Sequence, residues 1–133
     1  MSGKRILVVD DDRMLADTLR EMLRASLGGD VEVEIATSGA RAAALFEAGA
    51  VFDLVLCDLV MPGMGGIELY RTLERSGSPM AARLVLVTGG AFTEATATFL
   101  AQARIPRLNK PFDLAQLRAL LAATLGTAPP PER

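Results

Sequence analysis

A five-stranded, doubly wound parallel α/β sheet with strand order 2-1-3-4-5 is the fold class the sequence predicts, and three observations predict it. Apolar runs of strand length alternate from end to end with segments of helical period. Two of the runs, residues 52–58 (FDLVLCD) and 83–88 (RLVLVT), are apolar almost throughout. Central parallel strands covered on both faces read that way. A third run, residues 31–36 (VEVEIA), alternates strictly, with Glu32 and Glu34 opposite Val33 and Ile35. That pattern suits an edge strand with one wet face. The strand order then reverses between strands one and three, and ligands are expected at the carboxyl ends of the strands there.

Each element follows in turn. Residues 5–10 (RILVVD) form the first strand, and residues 12–27 a helix with Leu15, Leu19, Met22 and Leu23 on one face. Asp17 with Arg20 and Glu21 with Arg24 are i,i+3 pairs on that helix, and Gly28-Gly29 stops it. Ser38 caps a helix over 39–48. After the third strand a Pro-Gly-rich turn leads into a helix over 67–75, and the fourth strand into a Thr- and Ala-rich helix over 93–104 of modest propensity. A short strand, 107–110, passes through Pro111 to a last helix, opened by Asp113 with Gln116 at the capping-box position. The domain is expected to occupy residues 1–126, with 127–133 a flexible Pro-rich tail.

Composition narrows the function. The 133 residues suit one domain, and with 50% apolar and 23% charged residues the chain is globular. Sixteen acidic and 14 basic residues leave a formal charge of −2, so no basic field points to nucleic acid. A single cysteine, Cys57, excludes an internal disulfide and reads as core packing. No run has the ~18 apolar residues of a membrane span, and the expectation is a soluble, cytoplasmic protein. Histidine is absent, which removes His-based zinc sites, Ser-His-Asp and Cys-His machinery, and any phosphohistidine carried by this chain. No GxGxxG or GxxxxGK[ST] motif is present.

The remaining polar residues fall where the topology puts a ligand. Asp10, Asp11 and Asp12 follow strand one, Asp58 ends strand three, Thr88 ends strand four and Lys110 ends strand five. Clustered carboxylates raise one another's pKa values unless a cation intervenes. Hard oxygen donors without histidine suit magnesium better than zinc. Magnesium takes one or two carboxylates plus a phosphate oxygen. A lysine ammonium can neutralise a second phosphoryl oxygen and a threonine hydroxyl can donate to a third. Asp58 is left as the carboxylate free to attack phosphorus. Asp12 reads as a helix cap or a solvated acid rather than a ligand. Lys110 is one of two lysines against 12 arginines, which points to a need for a compact ammonium at this position.

The segments ILVVDDD, DLVLCDLVMPGMGG, LVLVTGG and LNKPF, in this order and spacing, resemble the receiver domain of bacterial response regulators over about residues 4 to 125. The phrases TGGAF and PRLNKPF look more like receivers fused to hybrid sensor kinases than like transcription-factor receivers. The resemblance implies a flavodoxin-like fold and a phosphoacceptor switch of a two-component phosphorelay. By it, Asp10 and Asp11 match the acid pair that holds Mg2+, with Asp11 a direct ligand. Asp58 matches the phosphoacceptor and a further ligand, and Val60 lends its backbone carbonyl. Thr88 matches the switch hydroxyl, Gly66 the turn glycine, and Lys110 the conserved cation, whose bond to Pro111 is often cis in such domains. A sensor histidine kinase or histidine phosphotransfer protein would supply the phosphoryl group. The face made by the fourth helix, fifth strand and fifth helix would carry the signal to a downstream protein. Neither a nucleic acid nor a membrane is an implied partner, and no enzyme activity beyond self-catalysed phosphotransfer and dephosphorylation is implied.

Two positions depart from the pattern. Gly65 stands where relatives carry a polar residue, and Arg107 where many carry an aromatic ring that swings inward as the threonine moves. Arg107 reads as a solvated residue of the last strand. Two other functions use similar residues. Haloacid-dehalogenase-like phosphatases use an aspartate nucleophile in a DxDx[TV] motif after strand one, but here Met14 holds the last position. A degenerate receiver acting as a docking scaffold would not need the intact set Asp10, Asp11, Asp58, Thr88 and Lys110.

Overall fold

The computed structural model describes residues 3–90 and 92–125. In chain order it contains β1 (Arg5–Val9), α1 (Arg13–Leu27), β2 (Glu32–Ala36), α2 (Gly39–Glu47), β3 (Leu54–Asp58) and α3 (Gly66–Arg75). A 3-10 turn (Pro79–Arg83), β4 (Leu84–Thr88), α4 (Glu94–Ala103), β5 (Arg107–Asn109) and α5 (Leu114–Leu125) complete it. Neighbouring strands all pair in parallel, in the order β2-β1-β3-β4-β5. The expected fold class is the one observed. The tail over 127–133 and the boundary drawn before it lie outside the described residues.

The two-residue period of the strands builds two cores. Leu7, Val9, Val55, Cys57, Leu84 and Leu86 face one layer of helices, and Ile6, Val8, Leu54, Leu56, Val85 and Val87 face the other. All twelve are buried. Fully burying a side chain of this size contributes about 1.5–3 kcal/mol, against about 0–1 kcal/mol for a surface ion pair. The three central strands therefore hold the platform, and pairs such as Arg20–Asp17 and Arg24–Glu21 only trim α1. β2 exposes Glu32 and Glu34 and half-exposes Val33 and Ile35, as its alternation implies.

Several boundaries differ from the sequence reading for local reasons. Asp10 and Lys110 lie one residue beyond β1 and β5, and Arg83 closes the 3-10 turn instead of opening β4. Asp12 stands outside α1 in extended conformation and accepts from the N–H groups of Met14 and Leu15, which makes it the N-cap. Gln116 and Asp113 close the expected capping box at 2.8 Å in both directions. Leu15 is a correction. It is 46% exposed, and the buried stripe of α1 is Ala16, Leu19 and Leu23. The first turn of α1 borders a hollow at the end of the sheet, where a leucine has no core to enter.

Candidate functional site

At the carboxyl edge the chain leaves β1 through Asp10, Asp11 and Asp12, while β3 stops on Asp58. The backbone fixes Asp10: its N–H donates to Ala36 O at 3.0 Å, extending the β1–β2 ladder, and its Oδ1 accepts from the Asp12 N–H at 2.9 Å. Asp10 is 7% exposed, Asp58 half-buried and Asp11 exposed. One carboxylate oxygen from each of the three lies within 4.8 Å of the others. Asp10 and Asp58 are far apart in the sequence, and the β1–β3 pairing closes that gap.

Lys110 enters from beyond β5. Its Nζ is 3.3 Å from Asp58 Oδ1 and 3.9 Å from Asp10 Oδ2. Burial pushes the Asp58 carboxyl above the usual range; Lys110 opposes the rise, and the charges of Asp10 and Asp11 add to it. Three carboxylates against one ammonium leave an excess of negative charge in a partly dry pocket. A hard divalent cation is the partner that would neutralise it, so the donor set fits magnesium. Cys57 beside it is buried and its thiol is pushed far up by burial, so it offers no thiolate.

The α3 end is shaped by two adjacent glycines. A Cβ at Gly66 would stand 2.4 Å from Leu86 Cδ2 and 2.9 Å from Asp58 O, so α3 starts directly on the end of β3. A Cβ at Gly65 would meet Leu59 O at 2.8 Å, and the Gly65 N–H donates to Glu68 Oε1 at 2.8 Å. Gly65 is thus required by close approach. Val60, two residues past Asp58, turns its side chain to solvent at 76% exposure, so it has only its backbone to offer the cluster.

Thr88 ends β4 and is 3% exposed. Its hydroxyl donates to Asn109 Oδ1 at 2.7 Å, and its carbonyl accepts from the Lys110 N–H at 2.6 Å. Asn109 is a site residue the sequence reading missed; an exposed asparagine in a three-residue strand carries no signal of its own. Arg107 is exposed as expected, yet not merely solvated: its guanidinium lies over the Phe92 ring, 5.6 Å from the centroid. The Lys110–Pro111 peptide is cis, in line with the resemblance. A hollow of about 450 Å³ adjoins the cluster, walled by Leu15, Leu19, Met22, Val87 and Phe112. Among the described residues no helix is long and apolar enough to cross a membrane.

The family model described as response regulator receiver domain matches residues 6–122. The chain belongs to that family. A response regulator MprA of Mycobacterium sp. (strain KMS) is 38% identical over 96% of this chain and 53% of its own length. A response regulator receiver protein of Anaeromyxobacter sp. is 47% identical over 62% of this chain and 33% of its own. The receiver therefore spans between a third and about half of these curated relatives. Among solved structures, it superposes on the receiver domain of the sensor histidine kinase PA1611 from Pseudomonas aeruginosa. The TM-score is 0.74, with 23% identity over 95% of this chain and all of that one. At that identity the likeness speaks for the fold. The PA1611 receiver has a magnesium ion coordinated in its active-site cleft. A receiver is a signalling domain, and the acidic cluster here is consistent with a phosphoacceptor role.

Proposed function

We propose that this receiver is the phosphoacceptor switch of a two-component phosphorelay, with Asp58 as the acceptor. The observation that carries it is the meeting of Asp10, Asp11 and Asp58 within 4.8 Å, with Lys110 Nζ 3.3 Å from Asp58. The donor is a phosphohistidine on a sensor histidine kinase or a histidine phosphotransfer protein, since this chain has no histidine of its own. An Asp58 carboxylate oxygen attacks phosphorus, the P–N bond to the donor imidazole breaks, and that nitrogen keeps the electron pair and takes a proton.

Asp10, Asp11 and Asp58, with the Val60 carbonyl, would hold Mg2+. When bound, the ion supplies positive charge to the carboxylates and to the phosphoryl oxygens. Lys110 neutralises a further oxygen as charge develops, from a position already set by the ladder bond of its N–H to Thr88 O. Thr88 donates its hydroxyl to another and reports the event. Its displacement would pass through the Gly89-Gly90 turn to α4, altering the face of α4, β5 and α5 read by a downstream protein. The receiver would work in the cytoplasm, where such kinases present their phosphohistidine. The phosphatase reading has less support, because the second acid of a DxDx[TV] motif would be Asp12, whose carboxylate is engaged in capping α1.

Phosphorylation tests the assignment. Incubated with magnesium and phosphoramidate, the protein should gain one phosphoryl group by intact mass, labile to hydroxylamine and absent in Asp58→Asn. A phosphoryl group that persists in Asp58→Asn would place the acceptor elsewhere. ATP and magnesium alone should leave the protein unmodified.

A further inference from the structure

We infer that Asn109 is a positioning residue for the switch: its side-chain amide holds the Thr88 hydroxyl in the resting state and competes with the phosphoryl group for that hydroxyl's one proton. The inference rests on the phosphoacceptor reading and adds to it the element that phosphorylation must displace.

The argument begins with strand register. Thr88 and Asn109 are direct partners across the parallel β4–β5 pair, so their side chains emerge side by side on one face of the sheet. Thr88 is 3% exposed, and a buried hydroxyl must find a partner. It finds Asn109 Oδ1 at 2.7 Å, the ordinary length of a hydroxyl-to-carbonyl hydrogen bond. A hydroxyl carries a single donor proton. While that proton is given to Asn109 it cannot be given to an oxygen on Asp58, so the two bonds exclude each other. The ladder bond from Lys110 N to Thr88 O, 2.6 Å, pins the Thr88 backbone. Exchange of the hydroxyl's partner therefore begins as a side-chain event.

The alternation of β5 adds a second hold. Leu108 is buried, while Arg107 and Asn109 are exposed and lie on the opposite face. Asn109 grips residue 88 and Arg107 covers the Phe92 ring, so one short strand holds both ends of the segment that leads into α4. Only the hold at Thr88 touches an atom that phosphorylation needs.

The test is titration with beryllofluoride and magnesium, read by amide chemical shifts, on the full chain. Asn109→Val removes the acceptor and should bind the mimic roughly 2- to 10-fold more tightly, the worth of one ordinary hydrogen bond. Asn109→Asp keeps an acceptor and should bind no more tightly than wild type. In a Thr88→Ala background the gain from Asn109→Val should vanish, because no hydroxyl remains to release. A Val variant that binds equally or more weakly, or a gain that survives Thr88→Ala, overturns the inference. Should Asn109→Val fail to fold, Asn109→Asp still decides, since tighter binding by it refutes a hold through the acceptor. A wild-type protein blind to the mimic overturns the phosphoacceptor reading itself, and this inference with it.

Discussion

Lys110 Nζ stands 3.3 Å from Asp58 and 3.9 Å from Asp10, so one ammonium is shared between two of the three clustered carboxylates. That ratio leaves Asp58 under-compensated. Its carboxyl is raised by burial first, with Lys110 pulling the other way. A carboxyl raised on folding makes its protonated form the stabilising one. Its contribution is present at low pH and is lost as pH rises through the folded-state pKa. In the absence of metal, Asp58→Asn should therefore raise the melting temperature at pH 7 by a few degrees, and the gain should shrink as pH falls toward about 4. Thermal melts in chelator across that range check the sign. Destabilisation at pH 7 would mean that the Lys110 contact outweighs burial.

Asp11 and Asp12 are neighbours with opposite duties. Asp12 Oδ1 accepts from two N–H groups in the first turn of α1, whereas Asp11 contributes to the carboxylate cluster. Asp12→Ala should cost about 0.5–2 kcal/mol of stability with magnesium affinity nearly unchanged. Asp11→Ala should weaken magnesium binding with little loss of stability. Calorimetric titration paired with urea melts separates the two; equal losses of affinity would misplace the metal.

Gly66 is where the site leans on the fold. A Cβ there would lie 2.4 Å from Leu86 Cδ2 and 2.9 Å from Asp58 O, against one movable side chain and one fixed backbone atom. Gly66→Ala should destabilise the protein by about 1–3 kcal/mol, as overpacking does. It should also lower the phosphoramidate reaction rate, because the backbone that must yield is that of Asp58. A stable, fully reactive Gly66→Ala would show that α3 can move off β3 freely.

The readable parts of the site share a physical origin. Asp10, Asp58, Thr88 and Lys110 sit at strand ends, and once the strands are ordered their ends must converge. Asn109 and Phe92 could not be found that way. Asn109 matters only through its register with Thr88, and Phe92 only because a cation on β5 lies above its ring. Leu15 misled for the reverse reason: its helical spacing is right, but the first turn of α1 faces a hollow and not the core.

By the resemblance, Arg107 stands where many receivers carry an aromatic ring that swings inward; here its guanidinium lies over the Phe92 ring. Burying an unpaired guanidinium is costly, so Arg107 cannot follow Thr88 inward as a ring would. A cation–π contact at an exposed position is worth about 0.5–1 kcal/mol, enough to bias the 88–92 segment but not to lock it. Arg107→Ala should thus speed amide exchange around Phe92 by roughly 2- to 5-fold in the resting protein. Beryllofluoride should still shift the amides of residues 89–104 in this variant, the outcome expected of the proposed path from Thr88 through the Gly89-Gly90 turn. Hydrogen exchange and chemical shifts, with and without the mimic, give both readings. If the response over 89–104 disappears in Arg107→Ala, Arg107 is itself the moving part, and the path through the loop is wrong.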